Sequence, residues 1–111
     1  MLKELRSKEG VHMLTHEQIV QAVAKAATKF QLNKVLYFGS YADGKATEQS
    51  DLDLLVEFTN DDKISLLDVF DLQQNLENEL HTSVHVVGLP LTEKAKEFLI
   101  IKKVVPVYER A

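Results

Sequence analysis

The chain contains no cysteine among its 111 residues. That excludes a disulfide-stapled scaffold and a cysteine-ligated zinc site. Positive charge is not in excess either: 13 Lys and Arg stand against 17 Asp and Glu, a formal net charge of −4. A general nucleic-acid binder carries a basic stripe, and none is present. No apolar run approaches the ~20 residues that cross a bilayer. The first ten residues are charged (Lys3, Glu4, Arg6, Lys8, Glu9) where a signal peptide has its apolar core. Internal repeats, linkers and low-complexity segments are also lacking. The expectation from these absences is a cytoplasmic protein with no membrane and no general nucleic-acid partner.

What is present is globular composition, 45% hydrophobic and 27% charged. A chain of this length builds one core and is too short for two. Residues 1–12 read as a loose tail ahead of a domain over 13–111. The acidic balance still admits a nucleotide. A divalent metal can bring a polyphosphate to carboxylates, and lysines are then not required.

The periodicity gives the elements. Thr15-His-Glu-Gln18 has the form of a capping box, and Ile19, Val23, Ala26, Ala27 and Phe30 follow at helical spacing, so a helix is predicted from about Thr15 to Phe30. Val35 to Phe38 reads as a buried strand ending at Gly39. Ser40 to Ser50 is small and polar, a turn or a short helical turn. Asp51 to Phe58 alternates as a strand, with Leu52, Leu54 and Val56 on one face and Asp51, Asp53, Leu55 and Glu57 on the other. Leu66, Val69, Leu72, Leu76 and Leu80 form a helical core stripe, with Phe70 at its edge, over about Ser65 to Leu80. A strand over Thr82–Val87, a helix capped by Thr92, and a stretch over Val104–Tyr108 that fits a short edge strand or an extended tail complete the order α-β-β-α-β-α-β. The short link between the first two strands predicts that they pair antiparallel, in a mixed sheet with helices packed on it, an α+β fold.

Chemistry concentrates in Gly39-Ser40, ten intervening residues, and Asp51-Leu52-Asp53. Gly39 has no Cβ, so backbone N–H groups can approach a phosphate closely. Ser40 offers a hydroxyl to a phosphate oxygen. Asp51 and Asp53, two apart on a strand, point to one side with Cα atoms about 6–7 Å apart. Two carboxylates so placed can hold one or two Mg²⁺ ions, and a metal pair about 4 Å apart clamps both oxygens of a phosphoryl transfer. Singly, each feature also fits an exposed face or a capped turn. Together, framed by two apolar strands, they point to a metal–triphosphate site.

This constellation resembles the signature of the DNA polymerase β-like nucleotidyltransferase superfamily, and within it the minimal nucleotidyltransferases, the MNT group. The likeness extends to Phe38-Gly-Ser, Ser50-Asp-Leu-Asp-Leu-Leu-Val-Glu-Phe58, the Ser65-Leu-Leu-Asp68 helix start and the closing Val104-Val-Pro-Val-Tyr108, so it runs from about Thr15 to the end. The resemblance implies the nucleotidyltransferase fold, with Asp51 and Asp53 as metal ligands and Gly39 and Ser40 as nucleotide contacts. It implies Mg²⁺ as cofactor, with Mn²⁺ as the alternative ion. The implied reaction moves AMP from ATP, or a nucleotidyl group from another nucleoside triphosphate, to a hydroxyl and releases pyrophosphate. The usual partner in the group is a small helical HEPN protein encoded alongside. The two form a toxin–antitoxin module in which a tyrosine of the toxin is adenylylated. A homo-oligomer and a hetero-oligomer both fit.

Two departures stand out. The group commonly carries a third carboxylate on a later strand, where this chain has Ser83-Val84-His85-Val86-Val87. His85 takes the acid's place. Histidine removes a negative charge, yet with a reference pKa of about 6.5 it can serve as a base, and it can bind an ion such as Mn²⁺. A histidine with no chemical role is the competing reading. Glu57 lies about 13 Å along the strand from Asp53, too far to share a metal. In the turn, Asp43 replaces the group's usual arginine and reads as solvated. His12, His16 and His81 have no ligand-like spacing. Beside the enzyme reading stand two others: a non-catalytic module that binds nucleotide or covers its partner, and the catalytic half of a two-chain enzyme acting on a small molecule.

Overall fold

Thr15 starts the first helix by chemistry as well as by pattern. In the computed structural model, which describes residues 13–59, 63–99 and 101–110, Thr15 Oγ1 accepts from the Gln18 N–H at 3.1 Å. Gln18 Oε1 in turn accepts from the Thr15 N–H at 2.8 Å. This capping box satisfies two of the amides that a helix start leaves without partners. Helix α1 (His16–Phe30) buries Ile19, Ala22, Val23, Ala26 and Ala27 and ends on Gln31 in the left-handed region.

Strand β1 (Leu32–Phe38) follows directly, beginning three residues earlier than its apolar run suggests. Helix α2 (Ser40–Asp43) is the short helical turn. Next come β2 (Leu52–Phe58), α3 (Leu66–Leu80), β3 (Val84–Gly88), α4 (Glu93–Phe98) and β4 (Val105–Glu109). The expected tail over residues 1–12 lies outside the described residues.

The sheet is four-stranded, in the order β3-β2-β1-β4. β1 pairs antiparallel with both β2 and β4, while β2 and β3, joined through α3, pair parallel. The mixed α+β architecture is therefore as expected, including the antiparallel first pair and the proline-bearing edge strand. One face of the sheet carries Val35, Leu52, Leu54, Val56 and Val84, which pack with α1 and α3 into one cluster. Phe38 and Leu55 are buried as well, but they lie outside that cluster. By strand alternation they belong to the opposite face.

The α3 stripe needs one correction. Leu72, Leu76 and Leu80 are core, but Leu66 is 87% exposed, and Leu67 and Phe70 are exposed beside it. Only Leu72, Leu76 and Leu80 of the helix are buried. The Ser65 cap, whose Oγ accepts from the Asp68 N–H and whose N–H donates to the Asp68 carboxylate at 2.9 Å, begins the helix ahead of the part that meets the core. Helical spacing reports which residues share a side, and only packing decides how far along that side the core extends.

Candidate active site

Register brings the candidate residues to one end of the sheet. Phe38, the residue before Gly39, is paired with Asp53 across the antiparallel β1–β2 ladder. Asp53 is paired with His85 across the parallel β2–β3 ladder. Asp53 thus sits on the central strand, with the Gly39 turn on one flank and His85 on the other. Asp51 immediately precedes β2 rather than lying within it.

Local contacts fix each segment. The loop before Asp51 is closed by the Thr47 N–H donating to Ser50 Oγ at 2.8 Å and by the Gln49 N–H donating to Thr47 Oγ1 at 3.2 Å. The Leu52 N–H donates to the Ser83 carbonyl at 2.8 Å, which aligns the starts of β2 and β3. Glu77, near the end of α3, accepts from the Val84 N–H at 2.9 Å and so holds the residue before His85. Sequence reasoning gave Glu77 no role, because a helix-borne carboxylate that reaches a strand amide leaves no mark in spacing. It likewise missed Tyr41, whose Oη accepts from the Leu14 N–H at 3.2 Å and ties α2 to the entrance of α1. His16, which has no ligand-like spacing in the sequence, is exposed, and its Nδ1 lies 3.0 Å from Tyr37 Oη.

Gly39 is required by both conformation and space. Its φ of 73° and ψ of −150° lie in a region that is essentially glycine-only. A Cβ there would collide with Asp53 Oδ2. The turn beyond it closes with the Asp43 N–H donating to the Gly39 carbonyl at 2.9 Å. The amides of Ser40, Tyr41 and Ala42 come too early in α2 to have intrahelical acceptors.

Asp51, Asp53 and His85 form a graded cluster. Their side chains are 45%, 26% and 60% exposed. His85 Nδ1 lies 3.3 Å from Asp53 Oδ1, and its Nε2 lies 3.6 Å from Asp51 Oδ2. The imidazole therefore faces one carboxylate with each nitrogen. Among the described residues, neither carboxylate accepts from any other side chain. Burial pushes the Asp53 carboxyl above its ordinary value, the neighbouring His85 draws it back, and the Asp51 charge adds to the rise. Asp53 is thus a partly desolvated acid short of donors, an environment that favours a bound cation.

The fit to a metal is a fit to two carboxylates with an imidazole beside them. The described residues contain no ready-made cluster of three or more ligands. Glu57 is engaged elsewhere, accepting from Asn33 Nδ2 at 2.6 Å. Glu79 pairs with Lys25 at 2.9 Å. Asp43 is exposed in the turn. His81 is the left-handed cap of α3, and His12 lies outside the described residues.

Residues 17–111 match the model of the family described as polymerase beta, nucleotidyltransferase. The chain belongs to this family. It is 35% identical over 79 residues to the protein adenylyltransferase MntA of Thermococcus cleftensis, covering 68% of this chain and 78% of that one. It is 36% identical over 59 residues to a candidate protein adenylyltransferase of Methanocaldococcus jannaschii, an alignment over 53% of this chain. That alignment spans 59% of the relative's length. Among solved structures, a candidate minimal nucleotidyltransferase is 32% identical with a TM-score of 0.63, over 84% of this chain and 96% of that one. A complex of a tri-AMPylated Shewanella oneidensis HEPN toxin with its MNT antitoxin aligns at a TM-score of 0.62 and 18% identity, over 86% of this chain and 74% of that one, a likeness of fold alone. The polymerase β-like fold and the MNT resemblance both hold. No described helix is long and apolar enough to cross a membrane.

Proposed function

We propose that the chain is a metal-dependent nucleotidyltransferase that moves AMP from ATP to a hydroxyl, with a tyrosine of a helical HEPN-type partner as the acceptor. One observation carries this reading. Asp53 is placed by register between the Gly39 turn and His85, desolvated, facing Asp51's side of the sheet, with no other side-chain donor among the described residues. The choice of AMP and of a protein acceptor is supported by the adenylyltransferase names of the relatives. The HEPN partner is supported by the Shewanella complex. The cytoplasm, where ATP is supplied, is the setting this chemistry needs.

In this reading Asp51 and Asp53 hold the divalent ion, Mg²⁺ or Mn²⁺. When bound, the ion neutralises charge on the triphosphate and on the departing pyrophosphate. Gly39 lets the amides of the α2 turn approach the phosphates, and the Ser40 hydroxyl donates to a phosphate oxygen. The acceptor oxygen bonds to the α-phosphorus as the bond from that phosphorus to the bridging oxygen breaks, so pyrophosphate leaves with the bridge. The hydroxyl proton is released on the acceptor side, where His85 stands as a proton acceptor or a further ligand. Catalysis is then largely positioning and electrostatics.

The test is transfer of label from α-³²P-ATP, with Mg²⁺ or Mn²⁺, to a co-expressed helical partner. The account expects label on a partner tyrosine and none with Asp51→Asn or Asp53→Asn. No transfer under either metal would remove the enzyme reading. It would leave the second one, a module that binds nucleotide or covers its partner without turnover. On that alternative, His85 between the two carboxylates takes the place of the ion.

A further inference from the structure

We infer that His85 is a nitrogen ligand of the bound ion and makes the site select Mn²⁺ over Mg²⁺. This rests on the metal–nucleotide reading of Asp51 and Asp53, and it adds the identity of the ion and the role of the imidazole.

The spacing comes first. Asp53 and His85 are direct neighbours in the parallel ladder, so both side chains leave the same face of the sheet. Asp53 Oδ1 and His85 Nδ1 are 3.3 Å apart. Adjacent corners of an octahedron with bonds near 2.1 Å lie about 3 Å apart, so an ion can seat between these two atoms with little movement of either. The ring is 60% exposed and has no partner other than the two carboxylates among the described residues. Nothing else there holds its nitrogens.

The second nitrogen lies farther from its neighbour. Nε2 is 3.6 Å from Asp51 Oδ2, beyond hydrogen-bond reach, so Nδ1, set against Asp53, is the atom placed to share an ion.

The donor set then decides the ion. Mg²⁺ seeks an octahedron of oxygens and gives up water reluctantly, so it gains from a third carboxylate and little from imidazole. First-row transition ions accept imidazole readily. Of these, Mn²⁺ also suits the carboxylate and phosphate oxygens that fill the remaining positions.

The experiment uses the full chain with α,β-methylene-ATP and Mn²⁺, read by electron spin echo envelope modulation and by displacement of Mn²⁺ with Mg²⁺. The expected result is ¹⁴N modulation from one coordinated imidazole alongside ³¹P coupling from the nucleotide. In His85→Asp the ¹⁴N signal disappears, and the Mn²⁺ preference over Mg²⁺ falls about tenfold or more. His85 is a half-exposed strand residue, and circular dichroism checks that the variant folds. Bound Mn²⁺ with ³¹P coupling but no ¹⁴N modulation overturns the inference and leaves the site reading standing. An unchanged metal preference in His85→Asp does the same. No bound Mn²⁺ with or without nucleotide overturns the site reading itself.

Discussion

The two faces of strand β2 do different work from one stretch of seven residues. Leu52, Leu54 and Val56 are wholly buried against the helices. Asp53, Leu55 and Glu57 alternate with them toward the other side. On that second face the two acids also differ. Glu57 receives a hydrogen bond from Asn33, whereas Asp53 has only His85 beside it. The apolar parity fixes register, because a slip of one residue would bury both acids and expose the leucines. Stability and candidate chemistry are thereby assigned to alternate residues, and the acid with no neighbour but His85 is the one the proposed site would use.

The largest expected effect is on the core face. Leu54→Ala removes a wholly buried side chain and costs about 2–5 kcal/mol of stability in urea unfolding, while nucleotide affinity of the folded fraction is unchanged. A loss of affinity in folded protein would show that the two faces are not separable.

Gly39→Ala comes next. It strains a glycine-only conformation by about 1–3 kcal/mol and drives a methyl group into Asp53. Metal-dependent nucleotide binding should drop sharply in this variant. Unaltered binding would show that the turn does not need to lie so close to the carboxylate.

Asp53→Asn probes the other face by stability. The folded-state pKa of Asp53 is raised, so the folded protein holds this proton more tightly than the unfolded chain does. Its contribution to stability is therefore present at low pH and lost as pH rises through that raised value. The melting-temperature advantage of Asp53→Asn over the metal-free wild type should grow as pH rises through that range. Mn²⁺ with nucleotide should erase it by stabilising only the wild type. An advantage that shrinks with rising pH would contradict the desolvation account. The smallest effect belongs to Lys25→Ala, which breaks an exposed pair with Glu79 and should cost less than about 1 kcal/mol without altering nucleotide binding.

Much of this was legible in the chain itself. The Thr15 cap, the alternation through Asp51 to Phe58, and the short β1–β2 link carry local rules that tertiary context did not override. Gly39 was legible as a close-approach glycine, and the collision with Asp53 gives that reading a partner. The exposure of Leu66 was not legible, because periodicity cannot tell where a helix outruns its core. Nor were the Glu77–Val84 and Tyr41–Leu14 hydrogen bonds, which join distant segments through single side chains. The seat of His85 between the two aspartates depends on a parallel register, and spacing does not specify register between strands separated by a helix.

The most direct test of the account is calorimetric titration of ATP analogue into the protein with and without Mn²⁺ or Mg²⁺, comparing wild type with Asp51→Asn and Asp53→Asn. The account predicts nucleotide binding that requires the ion and is lost in both variants while each remains folded. Equal binding without metal, or in folded variants lacking either carboxylate, would contradict it.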